Sequence, residues 1–177
     1  VGVELYQHML EEAVASMKDG GAHTEETWSP TINIGTSVLI PESYVADLDV
    51  RMSLYRRLSD LSSQEDVEGF GAELIDRFGP MPSEVDHLLQ IINIKTFCRK
   101  ACVAKIDAGP KGAVITFREN AFPNPAGLVQ YLATTPLELK LRPDQKLVFK
   151  QTWPNEDYRL KGCRKILTIL SEIAENT

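Results

Sequence analysis

Glu73, Asp76 and Arg77 are three charged side chains spaced to act together, at i, i+3 and i+4 within Glu73-Leu74-Ile75-Asp76-Arg77-Phe78-Gly79. At about 100° per residue this spacing puts them on one helix face, beside an apolar stripe of Val67, Phe70, Leu74 and Phe78. Asp66 and Gly69 share the charged face, closer to the helix start. Such a set can do one of two things. Glu73 and Arg77, four apart, can form a routine pair along the helix, worth about 0.2–0.5 kcal/mol. Alternatively the face is an acidic docking surface, with the Arg77 fork gripping a carboxylate through two parallel hydrogen bonds. Periodicity does not choose between them. Gly69 and Gly71 each cost a helix about 1 kcal/mol relative to alanine, a cost tolerated where another backbone comes close.

Other reactive residue types are present without the spacing that chemistry demands. Cys98 and Cys102 lie four apart, but zinc takes four ligands and usually draws pairs from separate corners of a fold. Buried apolar thiols are the expectation. Gly109-Pro110-Lys111-Gly112 is glycine-rich, but no Ser or Thr follows the lysine and no helix start is expected there, so a phosphate loop is excluded in favour of a hairpin turn. His8, His23 and His87 have no metal-ligand spacing. No catalytic residue, metal site or cofactor site is expected in this segment. Arg159, Lys161, Arg164 and Lys165 on the final helix form either a solvated face or a phosphate-binding strip, the latter giving a nucleic-acid-binding alternative.

The elements that position these residues follow from hydrophobic period and punctuation. Val3, Tyr6, Leu10, Ala13, Val14 and Met17 make one helical stripe that ends at Asp19-Gly20-Gly21. Ile32, Ile34, Thr36, Val38 and Ile40 alternate as a strand does. Tyr44 to Leu58 restores the helical period, and Ser62-Ser63-Gln64-Glu65 reads as a capping box opening a helix to about Phe78. Gly79-Pro80 stops it, and Ser83 is the expected cap of a further helix reaching towards Cys102. Ala104 to Ile106 with Ala113 to Phe117, and Leu137 to Leu141 with Leu147 to Phe149, are expected hairpins. Asn124-Pro125 starts a helix, and a last one runs from about Glu156 to Ala174. The order gives an α+β fold, helices packed with a small number of mainly antiparallel strands and hairpins.

With 177 residues, 43% hydrophobic and 25% charged, the chain has the composition of a globular domain with a real core. The formal charge is −6, from 25 acidic against 19 basic residues, which disfavours an autonomous nucleic-acid binder and favours a cationic protein partner. Three cysteines fit no disulfide framework, so a reducing cytoplasmic setting is expected. No membrane association is expected, and the missing initiator Met reads as a fragment of something longer.

Several segments together resemble one family. Val1-Gly2-Val3-Glu4-Leu5-Tyr6 with Met9 to Val14, then Ile40-Pro41-Glu42-Ser43-Tyr44-Val45 with Asp47, Arg51 and Tyr55-Arg56-Arg57-Leu58, look like its first signatures. Glu73 to Gly79 followed by Pro82 is the most specific match; Lys111 to Phe117 and Asn124-Pro125-Ala126 continue it. The pattern is similar to the carboxy-terminal regulatory domain of bacterial transcription-repair coupling factors (Mfd). Met81 stands where leucine is expected, and Val3 where phenylalanine is more usual. The resemblance implies a non-enzymatic segment whose parent is an ATP-dependent DNA translocase, with its ATP motifs upstream. Residues 1–19 would be a connecting helix from the motor and 20–177 the regulatory domain. It further implies docking on the UvrB-like module of the same protein, masking UvrA recruitment, with Glu73, Asp76 and Arg77 at the contact. RNA polymerase, UvrA and DNA would be partners of the parent.

Overall fold

The structure, a computed structural model, describes residues 29–35 and 38–176. The opening helix expected over Val3–Met17, and with it His8, His23 and the 1–19 connector, lies outside the described residues. Among the described residues, five α-helices and a five-stranded mixed sheet make the fold α+β, as the residue pattern predicts. The described chain divides into two compact units, residues 38–93 and residues 29–35 with 94–176.

The first unit is helical. Helix α1, Leu48–Ser59, begins later than its apolar period, because Pro41 folds the preceding residues into a turn: the Tyr44 and Val45 amides both donate to its carbonyl at 3.0 Å. Asp47 caps α1 by accepting from the Val50 amide at 3.0 Å. Buried Arg51 donates to the carbonyls of Val45 at 2.7 Å and Ala46 at 3.0 Å. Buried Tyr55 accepts the Ile40 amide at 2.7 Å. These three bonds hold an irregular segment against α1 without stranding its polar backbone.

Helix α2, Gln64–Phe78, is capped one residue later than the expected Ser62–Glu65 box. Ser63 accepts from the Asp66 amide at 3.1 Å, and the Asp66 carboxylate accepts from Ser62, amide and hydroxyl, at 3.3 Å. Its predicted stripe is correct: Val67, Phe70 and Leu74 are buried with Leu54, Leu58, Val85 and Leu88. Gly71 is closely packed, though by a side chain and not by a backbone. A Cβ there would stand 3.2 Å from Leu89 Cδ1, whereas at Gly69 it would meet nothing within 4 Å. Helix α3, Ser83–Ala101, begins at Ser83 itself, whose hydroxyl donates to Glu84 at 3.1 Å.

The second unit holds the sheet, in the order β1-β2-β3-β5-β4: Thr31–Asn33, Val103–Gly109, Gly112–Phe117, Leu147–Lys150 and Leu139–Leu141. Both expected hairpins form, and β1 pairs parallel to β2. Gly112, at φ +125°, turns the first hairpin where a Cβ would lie 2.0 Å from the Phe149 carbonyl oxygen. The strand expected over Ile32–Ile40 is cut short at Asn33. Gly35, at φ +74°, redirects the chain, and Arg159 fixes the bend by donating to the Ile34 carbonyl at 2.7 Å. One sheet face, with Ile106, Ile115, Leu147 and Phe149, is buried, as are Leu160, Cys163, Ile166, Leu167 and Leu170 of helix α5, Glu156–Glu175. Helix α4, Pro125–Thr134, is capped by Asn124, which accepts the Gly127 amide at 3.1 Å and donates to the Ile173 carbonyl of α5 at 3.0 Å.

Candidate docking face on helix α2

The last two turns of α2 carry Glu73, Asp76 and Arg77, all accessible to solvent. Glu73 makes the pair with Arg77 that its spacing allows, at 3.2 Å. Its principal partner is Arg57 of α1, which the linear pattern did not single out. Arg57 Nη1 and Nη2 donate to the two carboxylate oxygens at 2.5 and 2.7 Å, a fork-to-fork bond. Bonding from Arg57, reinforced by Arg77, holds the Glu73 carboxyl far below its ordinary range, at about 2. The same bond raises Arg57. Glu73 keeps 36% of its side-chain surface in water, so the cluster is screened and its value lies in orientation more than in stability.

Aromatic rings set the guanidinium planes. Arg57 lies over Phe70 at 4.9 Å and Arg77 over Phe78 at 4.8 Å. Phe78 packs against Tyr44 at 5.8 Å, and the Tyr44 hydroxyl reaches the carbonyls of Leu74 at 3.0 Å and Gly79 at 2.9 Å. Burial pushes the Tyr44 phenol up. The end of α2 is therefore clamped at its carbonyls and along its flank, and it stops at Gly79 with φ +93°.

Asp76 differs from Glu73. It is exposed and makes no hydrogen bond or ion pair among the described residues, and its neighbour Ile75 is 50% exposed. Asp66, the third candidate carboxylate, is committed to capping α2. Gly69 presents open helix backbone on the exposed side. The face is thus less acidic than its residue types suggest: Glu73 is matched by two arginines, and Asp76 is the carboxylate left to face a partner. The arginine on α1 could be found in the sequence only as part of Tyr55-Arg56-Arg57-Leu58, with nothing to indicate which residue it meets.

The remaining candidates resolve locally. Cys98 and Cys163 are buried, and removal from water raises both thiols, Cys163 to about 12. Cys102 is half-buried in the left-handed conformation just past α3, at φ 54°. No cluster of metal-ligating side chains occurs among the described residues. Arg159 is used inside the fold, while Lys161, Arg164 and Lys165 are exposed on a helix with four basic and four acidic residues. No helix among the described residues is long and apolar enough to cross a membrane.

Fold and face together define an α+β domain that presents a braced, charged helix end. The chain belongs to the TRCF domain family, whose model matches residues 34–128. It is 44% identical to the transcription-repair-coupling factor of Rickettsia conorii over 173 residues, covering 98% of this chain and 15% of that protein. It is 29% identical to the transcription-repair-coupling factor of Escherichia coli K12, again over 98% of this chain and 15% of that protein. The chain thus spans about 15% of the length of these curated relatives. A solved structure described as the C-terminal domain of transcription-repair coupling factor shares the fold, with a TM-score of 0.73 and 22% identity over 86% of this chain and 98% of that one.

Proposed function

We propose that this chain is the terminal regulatory domain of a transcription-repair coupling factor, acting in transcription-coupled DNA repair as a latch that closes through the end of α2. The observation that carries the reading is the contrast between Glu73, locked between Arg57 and Arg77, and Asp76, exposed beside an exposed Ile75 with no partner among the described residues. An unmatched acid on a braced helix end, next to an apolar knob, suits a cationic protein surface. The occupant is the UvrB-like module of the same polypeptide, whose arginines meet Asp76 while Arg77 takes a neighbouring acceptor. Closure covers the surface that recruits UvrA and restrains the ATP-dependent translocase. RNA polymerase and DNA engage the parent in the cytoplasm and shift it to the open form. On this reading residues 1–19 connect the motor to a regulatory domain at 20–177.

The energetics suit a switch. Interdomain contacts within a chain bury about 600–1,500 Å² and are polar enough to open. Charged pairs there supply orientation and specificity more than raw affinity. A gap of a few kcal/mol keeps the open form rare without making it inaccessible.

Asp76→Lys in the full-length parent tests the proposal with the least disturbance, since Asp76 has no role in bracing α2. ATP hydrolysis and UvrA binding, both measured without polymerase, are expected to rise. Glu73→Lys is expected to act in the same direction but also breaks the Arg57 contact, so its effect mixes two causes. If Asp76→Lys leaves both activities unchanged in a folded protein, the latch does not use this face.

A further inference from the structure

The sheet of the second unit has a second face, and its charge runs opposite to that of the chain. Residues alternating with the buried ones form a row across all five strands: Asn33, Asp107, Val114, Val148 and Lys140. Val114 and Val148 at its centre are only half-buried, and the flanking polar residues are exposed. At the β1–β2 end charges are matched, since Asp107 accepts from Asn33 at 3.0 Å and lies 3.5 Å from Lys105. At the β5–β4 end they are not. Lys150 at the end of β5 and Lys146 just before the strand flank Val148, about 7 Å away by extended-chain geometry. Lys140 faces Val148 from β4. Lys140, Lys146 and Lys150 form no ion pair among the described residues, whereas Arg142 pairs with Asp144 at 2.6 Å. From Glu138 to Lys150 four basic residues stand against two acidic ones, in a chain of net charge −6.

Two further features lie at this margin. β4 ends the strand order, so it has a strand neighbour on one side only, and of its outer edge the Leu139 amide already donates to the Leu137 carbonyl at 3.0 Å. A hollow of about 300 Å³ opens beside it, lined by Leu137, Glu138, Leu139, Lys140 and Lys150. We propose that the β4–β5 margin is a docking site for an extended, acidic protein segment that places an apolar side chain in this hollow. The edge strand supplies main-chain partners, the hollow supplies specificity, and Lys140 and Lys150 select for acid. A nucleic acid fits less well. The exposed sheet face, with Asn33, Asp107, Val114, Val148 and Lys140, carries no aromatic side chain for a base to stack on.

The test is amide chemical-shift mapping on the whole isotope-labelled chain at low salt. It uses a short synthetic peptide alternating glutamate with leucine, the same peptide with lysine for glutamate, and a short DNA duplex. The acidic peptide is expected to shift the amides of Leu139, Lys140, Val148 and Lys150 and to bind at least about tenfold more tightly than the basic one. Lys140→Glu with Lys150→Glu should abolish that binding and transfer it to the basic peptide, with the other amide signals unmoved. Absence of shifts at these four residues, equal binding of both peptides, or stronger binding of the duplex at the same residues would each overturn the proposal.

Discussion

At the residue scale, the most constrained carboxyl among the described residues is that of Glu73. Its carboxyl is held at about 2, below the unperturbed 4.5, so it releases its proton more readily folded than unfolded. The stabilisation it contributes is therefore complete above about pH 5 and is lost as pH falls through the folded value. Because the cluster is half exposed, we expect the loss to stay below about 1 kcal/mol. A carboxyl titration followed by NMR should find Glu73 still ionised near pH 3, and Arg57→Ala should raise its midpoint more than Arg77→Ala does. A titration indistinguishable from that of an exposed glutamate would dissolve the cluster. Tyr55 offers a sharper stability test. Tyr55→Phe leaves the Ile40 amide without its 2.7 Å acceptor in a buried site, and denaturant unfolding should register a loss of about 1–3 kcal/mol.

At the element scale, glycines inside helices separate packing from accessibility. Gly162 of α5 lies under Trp153, and an added Cβ would stand 2.2 Å from the indole ring. Gly162→Ala should lower stability by about 1–3 kcal/mol through overpacking and shift the Trp153 emission. Gly69 of α2 is the opposite case, with open space where a Cβ would go. Gly69→Ala should stabilise the domain by up to about 1 kcal/mol, seen as a raised midpoint in thermal unfolding. If it also loosens the latch in the parent, the open backbone at Gly69 is part of the docking face. The caps, too, are element properties. Ser63 and Asp66 displace the expected capping box by one residue, because two adjacent serines offer the cap position and Asp66 can bond back to Ser62.

At the scale of the whole molecule, a surplus of acid coexists with local basic features. Net charge −6 opposes a polyanion, and α5 carries as many acids as bases, with Arg159 already committed to the Ile34 carbonyl. Gel-shift assays of the isolated chain should therefore show no retention of duplex DNA at ordinary salt. Retention that weakens with salt and disappears in Lys161→Glu with Lys165→Glu would restore the final helix as a nucleic-acid surface. Because the chain spans about 15% of the length of its relatives, what this domain contributes is best measured as a change in the properties of a full-length protein.

Residue order alone determined most of the elements, since helical and strand periods, proline stops and the Asn124-Pro125 start act within a few residues of one another. It also put Glu73 within reach of Arg77, because a helix brings i and i+4 together whatever surrounds it. It could not bring Arg57 of α1 to Glu73 of α2, leave Asp76 unmatched, or end β1 at Gly35 under the hand of Arg159. Those outcomes depend on side chains that meet through packing between elements, across separations that no local period encodes. The lysine margin of the sheet draws on both, because spacing along the chain puts Lys146 and Lys150 two residues either side of Val148 while register brings Lys140 of β4 opposite it.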